Sequence, residues 1–144
     1  EQRGIRFVCS LEDPAIASIK VSIDVHRMNR VFENLVYNAT RYTSKGGSIE
    51  ILFAADVENN GVKLSVSDSG EGINPEDLPY IFDRFYKKDK SRHSQSGGSG
   101  LGLAIVKEIV ELHRGTIRVY NRSPRGSTFE ITLPLCLDET KCTG

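Results

Sequence analysis

The sequence predicts an α+β fold: a two-layer α/β sandwich in which a mixed, roughly five-stranded sheet packs on about three helices. Three observations carry this reading. Several short stretches alternate apolar and polar residues at the strand period of two, and two longer stretches carry apolar residues at the helical spacing. A chain of 144 residues with 38% hydrophobic content also suits one core.

The elements follow in order. Gly4–Cys9 and Ile19–Ile23 read as strands separated by a turn containing Pro14. From Asp24 the pattern becomes helical, with Val25, Met28, Phe32, Leu35, Val36 and Ala39 on one face. Asp24 is the expected N-cap, Tyr42 lies in the last turn, and Ser44-Lys45-Gly46-Gly47 closes the helix. Ser48–Val57 and Val62–Ser67 form an expected hairpin around Glu58-Asn59-Asn60-Gly61. Leu101–His113 returns to helical spacing through Leu101, Ile105, Ile109 and Leu112, with Gly115 as the C-terminal signal. Two strands, Thr116–Tyr120 and Thr128–Leu133, finish the domain, which is expected to span 1–135 with a frayed tail at 136–144.

Composition narrows the function. Lys and Arg number 19 against 19 Asp and Glu, and this zero net charge argues against a nucleic-acid binder held by bulk electrostatics. No apolar run approaches the roughly 20 residues that cross a bilayer, and Glu1-Gln2-Arg3-Gly4 is unlike a secretory signal. Cys9, Cys136 and Cys142 form no C-x-x-C pair, so inert thiols in a reducing compartment are expected; the alternative is one disulfide and one leftover thiol in a secreted protein. The charge is also uneven. Asp68–Asp77 carries a formal −4, and Arg84–Arg92 a formal +4.

Three segments could carry chemistry. On the first helix Asn34, Asn38, Arg41 and Tyr42 fall on one stripe, away from the apolar face. Two amides, a cation and a ring suit a metal, a phosphate and a base. Asp68-Ser69-Gly70-Glu71-Gly72-Ile73 follows a predicted strand, where glycines let backbone approach a ligand and the carboxylate can accept from an amine. Gly97–Leu103 opens the second helix, whose first N–H groups favour phosphate. This segment has neither the G-K-[ST] ending of a Walker loop nor the G-x-G-x-x-G spacing of a dinucleotide fold. Between the last two segments lie the aromatic stretch Phe82-Asp83-Arg84-Phe85-Tyr86 and a polar run, Lys87–Ser99, that reads as a mobile loop.

The order of these motifs resembles the catalytic and ATP-binding domain of bacterial sensor histidine kinases, with its Bergerat-type fold, in the wider group that includes gyrase, Hsp90 and MutL. Asn34–Thr43 is similar to the N box, Asp68–Ile73 to the G1 box, Ile81–Lys87 to the F box and Gly98–Leu103 to the G2 box. Gly126-Ser127-Thr128-Phe129 resembles the last short motif. The resemblance covers about Ile5 to Leu135 and implies ATP and Mg²⁺. By it Asn38 holds the metal with help from Asn34, Tyr42 packs on adenine, and Asp68 accepts from the adenine amine. Gly70, Gly72 and Ile73 shape the base pocket. Gly98, Gly100, Leu101, Gly102 and Leu103 surround the triphosphate under a mobile lid, and Thr128 completes the pocket. Arg41, Arg84 and Lys87 are the implied catalytic cations; Arg41 stands where the family usually has Lys, and Lys87 where it has Arg.

The same resemblance separates kinase from ATPase. In the gyrase and MutL branch the residue four before the metal-binding Asn is a water-activating Glu, and here it is Asn34. An amide does not accept a proton at neutral pH, so transfer to a supplied nucleophile is expected rather than rapid hydrolysis. His26, His93 and His113 lack the H-[ED]-x-[RK]-x-P setting of a phosphoacceptor. The implied partners are therefore an acceptor-His dimerisation domain of the same full-length protein and a response regulator, with no nucleic acid and no direct membrane contact. A cytoplasmic domain of a membrane protein is the implied location. Rival readings are an anti-sigma-type serine kinase and a regulatory pseudokinase.

Overall fold

The computed structural model describes residues 4–86 and 101–136. Its element order is β1 (Arg6–Leu11), a 3₁₀ turn (Pro14–Ser18), α1 (Val25–Tyr42), β2 (Ser48–Asp56), β3 (Gly61–Asp68), a second 3₁₀ turn (Leu78–Tyr80), α2 (Gly102–Leu112), β4 (Thr116–Asn121) and β5 (Ser127–Pro134). The strands form one sheet in the order β1-β2-β3-β5-β4. Among the described residues β1 and β2 alone pair parallel and the other pairs are antiparallel, so the sheet is mixed as expected. The helix layer holds two α-helices among the described residues, with the two 3₁₀ turns in place of a third.

Register makes one face of the sheet apolar. Ile51 lies opposite Val66, Val66 opposite Phe129 and Phe129 opposite Val119, while Phe53, Leu64, Ile131 and Ile117 form the next row. Alternation along each strand places these side chains on the same side, against Met28, Val31, Leu35 and Ala39 of α1 and Val106, Ile109 and Val110 of α2. Burying a row of such residues is the main favourable term in the fold.

Several local expectations change. Ile19–Ile23 is extended but joins no strand ladder. Ile19 and Val21 pack on the core, so the alternation is genuine, but it belongs to a crossing segment and not to the sheet. Val25 is 56% exposed because it opens the helix beside the Asp24 cap, and the buried face starts one turn later at Met28. Leu112 is 60% exposed; the buried stripe of α2 runs through Val106, Ile109 and Val110. Arg114, and not Gly115, takes the left-handed conformation after α2 (φ 59°). Past β5, Leu135 N–H bonds to Asn60 O and Cys136 N–H to Lys20 O, and the rest of the expected tail, 137–144, lies outside the described residues. Cys136 is disulfide-bonded and Cys9 is a free, exposed thiol, so the expectation of three inert thiols does not hold at Cys136. Among the described residues no helix is long and apolar enough to cross a membrane.

The two helices are tied at one end. Asp24 caps α1, accepting from Arg27 N–H, and its own N–H donates to His113 Nε2 at 2.9 Å. His113 Nδ1 lies 2.8 Å from Ile109 O, so the imidazole bridges the last turn of α2 to the first of α1. A contact at the protein surface thus ties α2 to the start of α1, while the polar stripe occupies its later turns.

Candidate functional site

The site begins where the apolar row of β3 ends. Val62, Leu64 and Val66 face the core, and the next residue in phase is Asp68, only 3% exposed. A buried carboxylate is costly unless its oxygens are bonded. Oδ1 accepts from Gly70 N–H at 2.9 Å, and Oδ2 accepts from the Ser127 hydroxyl at 2.8 Å. A carboxylate offers about four lone-pair sites, so acceptor capacity remains after these two bonds.

Two close backbone approaches hold this corner together. A Cβ on Gly70 would lie 2.2 Å from Tyr42 O, so the loop after β3 touches the last turn of α1 at a separation only glycine permits. A Cβ on Gly126 would lie 1.9 Å from Asp68 O, and Gly126 has φ 105°, which seats the β4–β5 turn on the strand end. Arg125 Nε donates to Gly70 O at 3.0 Å. Asn121 bonds both backbone groups of Ile73: Oδ1 accepts from its N–H at 2.8 Å, and Nδ2 donates to its O at 2.7 Å.

The polar stripe of α1 borders this corner. Asn34, Asn38, Arg41 and Tyr42 are all half-buried. Asn34 Nδ2 donates to Arg30 O at 2.8 Å, and its Oδ1 faces α2, 2.8 Å from the point a Cβ on Gly102 would occupy. The Arg41 guanidinium lies 5.2 Å from the Tyr42 ring centroid and 6.0 Å from that of Tyr37, within cation–π range. α2 starts at Gly102 with Leu101 in the cap position and no side-chain cap bond. Among the described residues its first-turn N–H groups have no side-chain cap, so they can meet another acceptor. Leu103 packs on the core, so what it can offer a ligand is its backbone.

The aromatic segment is anchored from below. Phe82 meets Phe129 edge-on at 6.1 Å, with Lys107 Nζ 6.0 Å from its ring. Arg84 pairs with Glu108 of α2 at 3.6 Å; both side chains are exposed, so the pair contributes little stability. The Tyr86 hydroxyl donates to Asp77, and that bond, followed by desolvation and the charge of Asp77, pushes Tyr86 up to about 12.

The structure thus brings Asn34 to Gly102, Tyr42 to Gly70, and Asp68 to Gly70 and Ser127. Lys87, Gly98 and Gly100, and with them the expected lid, lie outside the described residues. Thr128 falls on the other face of the sheet, its Oγ1 2.8 Å from Ser67 Oγ. Alternation along β5 is the reason: Ser127, paired with Asp68 in register, shares the face of the acid, and its neighbour cannot. Sequence reading missed Ser127, Asn121 and Arg125 as site residues. Ser127 had a signal, since it lies inside the motif Gly126–Phe129, whereas Asn121 and Arg125 fall between the two expected last strands and carry no local signal.

Comparison with known proteins fits this geometry. Residues 23–137 match the family model described as histidine kinase-, DNA gyrase B-, and HSP90-like ATPase. The chain is 36% identical over 134 residues to the sensor histidine kinase WalK of Bacillus subtilis (strain 168), covering 93% of this chain and 21% of that protein. Among solved structures, full-length ShkA in complex with AMPPNP superposes with a TM-score of 0.77 at 25% identity, covering 94% of this chain and 26% of that one. Histidine kinase ThkA in complex with response regulator protein TrrA gives a TM-score of 0.74 at 29% identity, covering 94% and 35%. The chain spans about a quarter of the length of the curated relatives it matches. It belongs to the family of histidine kinase-, DNA gyrase B- and HSP90-like ATPases.

Proposed function

We propose that this chain is the ATP-binding catalytic domain of a two-component sensor histidine kinase, which transfers the γ-phosphoryl group of ATP to a His on a separate dimerisation domain. The observation that carries the proposal is the chain of contacts linking three unlike groups: a buried carboxylate with spare acceptor capacity, whose loop touches the end of α1, and the amide-bearing stripe of α1, which reaches from there to the start of α2, where no side chain caps the helix. Asp68 reads the exocyclic amine of the base, with Gly70, Gly72 and Ile73 forming the wall around it. Tyr42 packs on the ring. The N–H groups at the start of α2, around Leu101, Gly102 and Leu103, meet phosphate oxygens.

The donor set also suits Mg²⁺. Amide oxygens are hard ligands, and this ion is commonly held by one or two protein groups together with phosphates. Asn38 would hold it and Asn34 would assist. When bound it neutralises phosphate charge, and the chain itself contributes orientation and positive charge from Arg41, Arg84 and Lys87. Asn34 supplies no base where the hydrolytic branch has one, so hydrolysis without an acceptor is expected to be slow. The parent protein would phosphorylate a response regulator and lie in the cell membrane with this domain in the cytoplasm. ThkA bound to TrrA supports the first of these expectations.

Calorimetry with Mg·ATP tests the pocket, and γ-labelled ATP mixed with a purified dimerisation domain tests transfer. Acid-labile label on the acceptor domain is expected. No ATP binding refutes the proposal, and binding without transfer to any acceptor-His domain of the family favours the regulatory reading.

A further inference from the structure

Asp68 is fixed by Gly70 N–H, and Gly70 belongs to a loop whose far end is held by a residue 48 positions further along the chain. The amide of Asn121 takes both backbone groups of Ile73, acceptor to N–H and donor to O. Gly72 fits beneath it: φ there is 82°, and a Cβ would lie 3.1 Å from Asn121 Oδ1. The loop is therefore pinned at Asp68 by Ser127, at Gly70 by Arg125 and at Ile73 by Asn121, all three from β4, β5 or the turn between them. Of the three, only the Asn121 contact satisfies a donor and an acceptor of one residue together, which fixes peptide orientation as well as distance. Ile73 also packs on the core, so the clasp joins a seated residue to a sheet strand.

We propose that Asn121 is a positioning residue for base recognition: by clamping Ile73 it presets the loop that aims the Asp68 carboxylate. The inference rests on the nucleotide reading of the site. Loss of the clasp lets the 70–73 peptides rotate, and Gly70 N–H then no longer holds Oδ1 in the direction the base amine requires. A nucleotide that does not use Asp68 loses nothing by this. ITP is such a probe, because its base carries a carbonyl where adenine carries the amino group.

The test compares Mg·ATP and Mg·ITP binding by calorimetry in the wild-type chain, Asn121→Ala and Asn121→Asp, with thermal unfolding of each. Asn121→Ala is expected to weaken ATP about fivefold, as the loss of a pair of exposed hydrogen bonds suggests, and ITP less than about twofold. Asn121→Asp keeps the acceptor for Ile73 N–H but sets a carboxylate oxygen against Ile73 O, so its ATP affinity should fall at least as far as that of Asn121→Ala, again with a smaller loss for ITP. Proportional weakening of both nucleotides indicates a merely structural role and overturns the inference, as does no change in either. If Asn121→Ala does not fold, Asn121→Asp carries the same comparison of ratios. Failure of the wild-type chain to bind ATP overturns the underlying nucleotide reading and this inference with it, whereas normal wild-type binding with an unchanged ATP:ITP ratio in the variants overturns only the role of Asn121.

Discussion

Asp68→Asn separates recognition from stability better than any other change in the site. The wild-type carboxylate accepts from Gly70 N–H and from the Ser127 hydroxyl, with lone pairs to spare for a base amine. An asparagine has one oxygen and one NH₂ group. If its oxygen stays on Gly70 N–H, its NH₂ faces Ser127, whose hydroxyl can turn to accept. The internal network then survives with weaker bonds: a hydrogen bond to a charged group is worth about 1.5–3 kcal/mol, against about 0.5–1.5 for a neutral one. Against that loss stands the relief of a buried charge, since Asp68 is 3% exposed. The two effects oppose, and unfolding stability should change by no more than about 1 kcal/mol.

Binding has no such compensation. The adenine amine meets an N–H donor where it met an acceptor, so one bond is lost and two donors face each other, at about 1–3 kcal/mol. With a factor of ten for every 1.4 kcal/mol, ATP affinity should fall roughly tenfold to a hundredfold. ITP, which presents a carbonyl, should bind the variant at least as well as the wild type. Calorimetry at a temperature well below unfolding, with a urea titration alongside, measures both quantities. ATP affinity within about twofold of wild type, or equal losses for ATP and ITP, would show that Asp68 does not read the base.

Other outcomes follow from the same geometry. Asn38→Ala should lower ATP affinity about tenfold or more in Mg²⁺ and leave it unchanged in EDTA, which calorimetry in the two buffers measures. Gly126→Ala places a methyl group 1.9 Å from Asp68 O at φ 105°, and should cost roughly 1–3 kcal/mol or more in urea unfolding. Leu35→Ala, at a side chain 1% exposed, should cost about 2–5 kcal/mol by the same assay. Tyr86, raised to about 12 from an ordinary 10.0, should keep its proton across that interval; its contribution to stability is full below pH 10 and lost as pH rises towards about 12. A tyrosinate absorbance titration should show this late step, and Tyr86→Phe should remove it.

Periodicity made most of the fold legible. The Asp24 cap, the span of α1 to Tyr42 and the β2–β3 hairpin all follow from local patterns that need no partner. Ile19–Ile23 misled because a period of two reports only an extended backbone with one buried side, whether or not a ladder forms. Val25 and Leu112 misled because a wheel gives the phase of a helix but not where its neighbours stop covering it. The site was legible where it is consecutive, as in Asn34–Tyr42 and Asp68–Ile73. Ser127 and Asn121 reach the loop across 59 and 48 positions, and only sheet order reveals such contacts. One clue was local after all: an acid placed in phase after Val62, Leu64 and Val66 announces a buried carboxylate.

That phase has a consequence for errors in folding. Asp68 and Ser127 lie on the same face of the sheet as Val66 and Phe129, so a one-residue slip of β3 against β5 would turn the acid outward only by turning the apolar residues outward too. No partly faulty sheet can keep its core and lose its acceptor, or keep its acceptor and lose its core. The register of the binding corner is thereby tied to hydrophobic burial: a molecule that buries its β3–β5 core also has its acid on the inner face, where the loop contacts then aim it.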